Sequence, residues 1–388
     1  MKSRIHLALA ALPLLAALAI SLGCNCLCGD VSAPAQLAKP AKPAAFQPGQ
    51  PWHFVVSGDS RNCGDVVMPA IAQGAAQNQA QFYWHLGDLR AIYDFDQDMQ
   101  KIAERQDKKL TISDYESQAW PDFRQNQIVP FGGIPFFLGI GNHETIGPFK
   151  TRADFITEFA DYLDMPEIKR QRLKDNPKDT QPHTYYHWIM DGADFIYLDN
   201  ASHDQFDAAQ MTWLEGTVFK HDAADSSIRA LVVGMHAALP NSISAGHSMN
   251  EWPDGIKTGA QVYQDLLKLQ NDQHKKVYVL ASHSHYVMEN TYNTQYWRSH
   301  GGVLPGWIVG TAGAVRYPLP EPNNAALAKT NVYGYLLATV NPSSQPVGTI
   351  SFEFKELKER DVPPAIIHGY TREFVHWCFA QNSQAKGE

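Results

Sequence analysis

Seven side chains with usable oxygen or nitrogen lone pairs stand at or just after short apolar runs. They are Asp59 in SGDSR, Asp88 in HLGDLR, Asn142 and His143 in GIGNHE, His236 in VVGMH, and His283 and His285 in LASHSH. Carboxylates, amide oxygens and imidazoles are the ligands that zinc, manganese and iron take from proteins, and two of those types also move protons. Singly, each has an ordinary explanation: Gly-Asp after a strand is a turn, and a lone His is a satisfied polar residue. Five such strand ends in succession are not explained that way.

The apolar runs that must position them are HFVVSG, QFYWHLGD, PFFLGIGN, HTYYHWIM, DFIYLDN, RALVVGMH, KVYVLASH and GWIVGTAG, followed by YGYLLATVN and GTISFEF. Short apolar runs stopped by Gly, Asp, Asn or His predict buried sheet strands. DAAQMTWLEGTV and GAQVYQDLLKLQND between them have helical spacing. The expected fold class is α/β: a four-layer α/β/β/α sandwich of two mixed sheets, with a metal site at the strand C-terminal edge, where α/β proteins bind ligands. The domain expected to carry it spans 52–356, with a C-terminal extension over 357–388. Two long insertions, from about Arg90 to Val129 and from Thr145 to Thr184, either shape a substrate pocket or decorate the surface.

This order of motifs resembles the calcineurin-like metallophosphoesterase superfamily, and within it the purple-acid-phosphatase-like branch, from about His53 to Phe354. GNHE is the most specific piece and HSH at a strand end the next; DQFDAAQMTWLEGTV after FIYLDN looks like the helix that follows the middle strand in that branch. The resemblance implies two divalent or mixed-valence ions (Fe, Mn or Zn), about 3.5–4 Å apart, bridged by Asp88. Asp59 and His285 would hold the first, and Asn142, His236 and His283 the second. His143 would protonate or stabilise the leaving oxygen of a small phosphoester. Two departures matter: Arg61 stands where many members have a histidine, and Ala91 where purple acid phosphatases have a tyrosine. Tyr93 or Asp94 is left as a substitute, besides water or a residue of the insertions, and Ser282 replaces a usual glycine. Arg61, Arg90, His203 and His247 are candidates for substrate contact. For Arg61 the alternative is a structural salt bridge to Asp65 or Glu144.

The 388 residues are 44% hydrophobic and 19% charged, an ordinary globular composition. MKSRIH followed by LALAALPLLAALAISLG makes residues 1–23 a signal peptide, and ISLGC resembles a lipoprotein cleavage box with Cys24 as the lipidated residue. A plain signal or an uncleaved anchor helix is the alternative. Removing residues 1–23 leaves a charge of about -10, so no nucleic-acid partner is expected. The stretch 24–51, rich in Ala and Pro, reads as an extended linker lifting the body off a membrane. Cys63 and Cys378 either pair in an oxidising compartment or remain free thiols. The reading is therefore an exported, membrane-anchored phosphoesterase. Its rival is an envelope lipoprotein that binds a phosphorylated ligand without turnover. A serine hydrolase is excluded because GHSMN around Ser248 lacks the second glycine of a nucleophile elbow.

Overall fold

Each predicted apolar run contains a strand, and hydrogen bonding sorts the strands into two mixed sheets. The computed structural model describes residues 40–147, 149–201, 205–321 and 327–385. The chain divides into Met1–Ala35, which lies outside the described residues with Cys24 and the signal sequence, and Gln36–Glu388, which carries every element below. The first sheet uses β1 (Trp52–Ser57), β2 (Tyr83–His85) and β3 (Phe136–Leu138); the second begins with β4 (Tyr186–Met190), β5 (Ala193–Leu198), β6 (Ala230–Met235) and β7 (Lys276–Ala281). β8 (Val287–Glu289), β9 (Gly306–Val309) and β10 (Ala328–Lys329) extend the second sheet, and β11 (Tyr333–Val340) and β12 (Ile350–Leu357) complete the first. The orders are β12-β11-β1-β2-β3 and β10-β8-β9-β7-β6-β5-β4. β1, β2 and β3 run parallel, as do β5, β6, β7 and β9, so their C-terminal ends share an edge within each sheet. β8 and β10 fall outside the predicted runs.

Side-chain alternation builds two cores from one sheet. Phe195, Tyr197, Val232, Tyr278 and Leu280 face the first sheet, whereas Ile196, Leu198, Leu231, Val233 and Val279 face outward, where Val262, Leu266 and Leu267 of the helix Pro253–Asn271 pack on them. Between the sheets Trp188 stacks on Phe137 at 3.9 Å and meets Trp84 edge-on at 5.3 Å. Gly234 has to be glycine here, because a Cβ would fall 2.6 Å from the Trp84 ring. The helix Gly64–Gln77 packs against the first sheet, completing the four layers.

The segments on either side of residues 52–356 make contacts with the body. Residues 40–50 do not stand off the body: Phe46 lies 5.1 Å from Trp52, and the Gly133 amide donates to the Pro40 carbonyl at 2.8 Å. The segment after β12 also docks, with the Tyr370 hydroxyl on Asp65 and a disulfide joining Cys378 to Cys63, so these two cysteines are not free thiols. The two insertions are tied together by Arg124, which pairs with Glu158 and Asp161. Among the described residues no helix is long and apolar enough to cross a membrane.

One buried ion cluster fastens the second insertion to the sheet. His187 on β4 lies between Asp194 at 2.7 Å and Asp175 at 2.6 Å, the latter on the helix Pro166–Asp175. Burial opposes its charge, but Asp194 and Asp175 raise the imidazole to about 10. A pKa raised from about 6.5 means the folded state holds the extra proton, so this stabilisation is complete below about pH 6.5 and fades as pH climbs through about 10. Wild type should therefore lose more Tm than His187→Gln across that window. Parallel curves would remove His187 as the cause.

Candidate metal centre

Asp59, Asp88 and His283 have φ of 59°, 57° and 60°, the left-handed region that few non-glycine residues adopt. Each follows the end of a parallel strand, β1, β2 or β7, so the chain reverses sharply there and offers the side chain at the sheet edge. Such backbone outliers concentrate at functional sites. Gly141, after β3, allows the Asp88 loop to come close, since a Cβ there would collide with the Asp88 amide and Oδ1.

The strand ends from both sheets converge. Ligand atoms of Asp59, Asp88 and His285 lie within 4.8 Å of one another, and so do those of Asp88, His236 and His283. Asp88 belongs to both groups. Asn142 Oδ1 is 2.9 Å from His236 Nε2, which is 3.1 Å from His283 Nδ1 and 3.3 Å from Asp88 Oδ1. His285 Nε2 stands 3.2 Å from Asp59 Oδ1, a buried oxygen with no hydrogen-bond partner. Backbone carbonyls orient two of the rings: His285 Nδ1 donates to Val315 at 2.7 Å, and His236 Nδ1 faces Leu86 at 3.0 Å. Their Nε2 atoms therefore face the carboxylates, the arrangement that orients histidine toward a metal. A third group, His247, Glu251 and His283, lies at the rim.

The charges fit a cation. Burial and the neighbouring Asp88 raise Asp59, while His236 and Arg61 only partly offset them. Burial also works against the Asp88 charge, yet His143 and His236 hold it well below the usual carboxylate range. Against burial, Asp88 raises His236 to about 9, so without an ion a proton on His236 does the neutralising that a bound cation would do. His285 is pushed well down by burial and by Arg61 and Arg316, and His143 down to about 4 by burial and Arg61.

The candidates for substrate contact separate. Arg61 is buried in the centre, bonded to His143 Nε2, with its Nη2 3.3 Å from His285 Nε2 and from the Tyr317 hydroxyl; Asp65 and Glu144 are engaged elsewhere. His247 is also brought in, its ring 5.4 Å from His283 and 4.9 Å from Tyr317. Arg90 is not: it is fully buried among Asp65, Asp98 and Asp122, which hold it inside the fold, so the expectation of substrate contact is withdrawn. His203 lies outside the described residues. Ala91 contributes only its carbonyl, to His143 Nδ1, and Tyr93 stacks on His143 with its side chain 57% exposed.

Four residues support the centre in roles the sequence did not assign them. Glu144 accepts the amides of Asp88, Leu89 and Gly141 at 2.8–2.9 Å, clamping two ligand loops together. Asn200 accepts the His236 and Ala237 amides, and Ser282 Oγ lies 3.1 Å from His236 Nδ1. Tyr317 stacks on His285 at 4.0 Å. Glu144 and Asn200 had a visible signal in GNHE and FIYLDN; Tyr317 had none beyond the turn TAGAVR.

No family model and no curated protein sequence matches the chain. Among solved structures it is similar to purple acid phosphatase PPD1 from seeds of yellow lupin (Lupinus luteus), with 16% identity and a TM-score of 0.52 over 81% of this chain and 53% of that one. The chain thus spans about half the length of the lupin protein. It also matches PhoD, with 14% identity and a TM-score of 0.46 over 88% of this chain and 78% of that one. The lupin likeness shows the fold alone, a two-sheet α/β sandwich.

Proposed function

We propose that this chain, built on a metallophosphoesterase sandwich, is a metal-dependent hydrolase of phosphate monoesters or diesters. The observation that carries the proposal is that two ligand groups meet at one shared carboxylate, Asp88. Asp59 and His285 would hold one ion with Asp88, and Asn142, His236 and His283 the other. Iron, manganese or zinc bound there would make water nucleophilic at neutral pH and offset charge on the phosphoryl oxygens. The chain's own residues do the rest. Arg61 donates paired N–H groups to a phosphoryl oxygen. His143, whose Nδ1 donates to the Ala91 carbonyl and whose Nε2 accepts from Arg61, would take a proton at Nε2 once a substrate phosphate draws the Arg61 N–H groups to itself, and pass it to the leaving oxygen. His247 borders the substrate.

The amino-terminal pattern adds export and anchoring through Cys24, and a disulfide suits an oxidising compartment. Cells carrying Cys24→Ala should release the protein from the membrane fraction; unchanged fractionation would sink the anchor. For the activity, purified protein supplied with Fe, Mn or Zn should release phosphate or alcohol from some member of a broad mono- and diester panel. A fully metallated protein inert across the panel would leave the non-catalytic binder as the reading.

A further inference from the structure

The two ligand groups are unequal. Around His236 Nε2 gather Asp88, Asn142 and His283, giving that group a carboxylate, an amide oxygen and two imidazoles. Among the carboxylates, imidazoles and thiols of the described residues, the other group gathers Asp59, Asp88 and His285. Its open side is faced by the Arg61 guanidinium, with Nη2 3.3 Å from the nitrogen of His285 that would bind an ion. Of the nearby alternatives, Tyr93 stacks on His143 and its hydroxyl is engaged by Arg61, and the Asp94 carboxylate caps the Phe95 amide at 2.7 Å.

A guanidinium has five N–H donors, no lone pair and a charge it does not lose. It therefore cannot ligate an ion, and it repels one placed beside it. The hydrogen-bond partners of Arg61 are two imidazoles and two phenols, none of them an anion, so it is anchored in place while its charge stays available to the site.

Building on the phosphoesterase reading, we infer that the centre holds one cation tightly, at Asp88, Asn142, His236 and His283, and that Arg61 supplies the fixed positive charge at the Asp59–His285 end, where a second ion binds weakly. A substrate phosphate would then lie between an ion and a guanidinium.

The test loads the full-length protein with Mn(II), dialyses it against a chelator, counts ions per chain and records the Mn(II) electron paramagnetic resonance spectrum. Wild type should keep about one ion per chain with an isolated-ion spectrum, the second ion dissociating at least about 10-fold more readily. Arg61→Met, which removes the charge at similar length, should keep about two and show exchange coupling. If that variant folds poorly, His285→Ala and His236→Ala replace it: the first should keep the tight ion and the second should lose it. Two ions of equal affinity in wild type, no gain in Arg61→Met, or loss of the tight ion in His285→Ala overturns this inference alone. A protein that holds no ion overturns the phosphoesterase reading as well.

Discussion

Asp88→Asn is expected to lower kcat/KM for phosphoester hydrolysis by at least about 1,000-fold and to release bound cation. Asp88 is the one residue present in both ligand groups, and it is buried. Its Oδ1 also accepts the His143 amide at 3.1 Å, so it ties the GNHE turn to the centre. Asparagine keeps the shape and one oxygen, but its amide nitrogen turns two hydrogens toward a cation and its charge is gone. The fold should survive, because Glu144 grips the backbone amides of residues 88 and 89 rather than the replaced side chain. Kinetics, ion content and Tm measured together separate these effects. A folded Asp88→Asn variant with near wild-type turnover would rule out a shared carboxylate.

Cys63→Ser should reduce folding stability by about 2–5 kcal/mol, and Cys378→Ser by a similar amount. The bond closes a loop across a sequence separation of 315 and joins two fully buried residues. Cys63 lies directly before the helix Gly64–Gln77 and four residues after Asp59, and its amide donates to the Gly313 carbonyl at 3.2 Å. Losing the bond therefore frees the C-terminal segment and also loosens the loop that carries Asp59 and Arg61. Denaturant midpoints should fall in both variants and in reduced wild type, with weaker ion binding alongside. Equal midpoints for oxidised and reduced wild type would show that the bond adds nothing to stability.

The sheets and the gathering of these polar residues at one edge were legible because each depends on short-range signals: apolar runs, their stops, and Asp or His at the stop. The strand ends of both sheets meet at one edge, so residues as far apart as Asp59 and His285 needed only the fold to bring them together. What was not legible depends on direction or on distant partners. Arg90 follows Asp88 as Arg61 follows Asp59, and both look like phosphate ligands in the sequence. Arg90 points inward because Asp98 and Asp122, supplied by the following insertion, neutralise it there. Arg61 points to the centre, where His143, His285 and Tyr317 accept its N–H groups. The docking of residues 40–50 was hidden for a similar reason. Their Ala/Pro-rich composition suggests an extended linker, but a single aromatic residue, Phe46, packs beside Trp52.

The proposed hydrolysis of a phosphoester depends on ions held around Asp88. The most direct measurement titrates Mn(II), Zn(II) or Fe(II) into chelator-treated protein and follows bound ion and phosphoester hydrolysis in the same samples. Hydrolysis should be absent without ion, rise with occupancy, and stay absent in Asp88→Asn at every ion concentration. Hydrolysis that ignores the chelator, or full occupancy with no hydrolysis of any mono- or diester, would contradict the proposal.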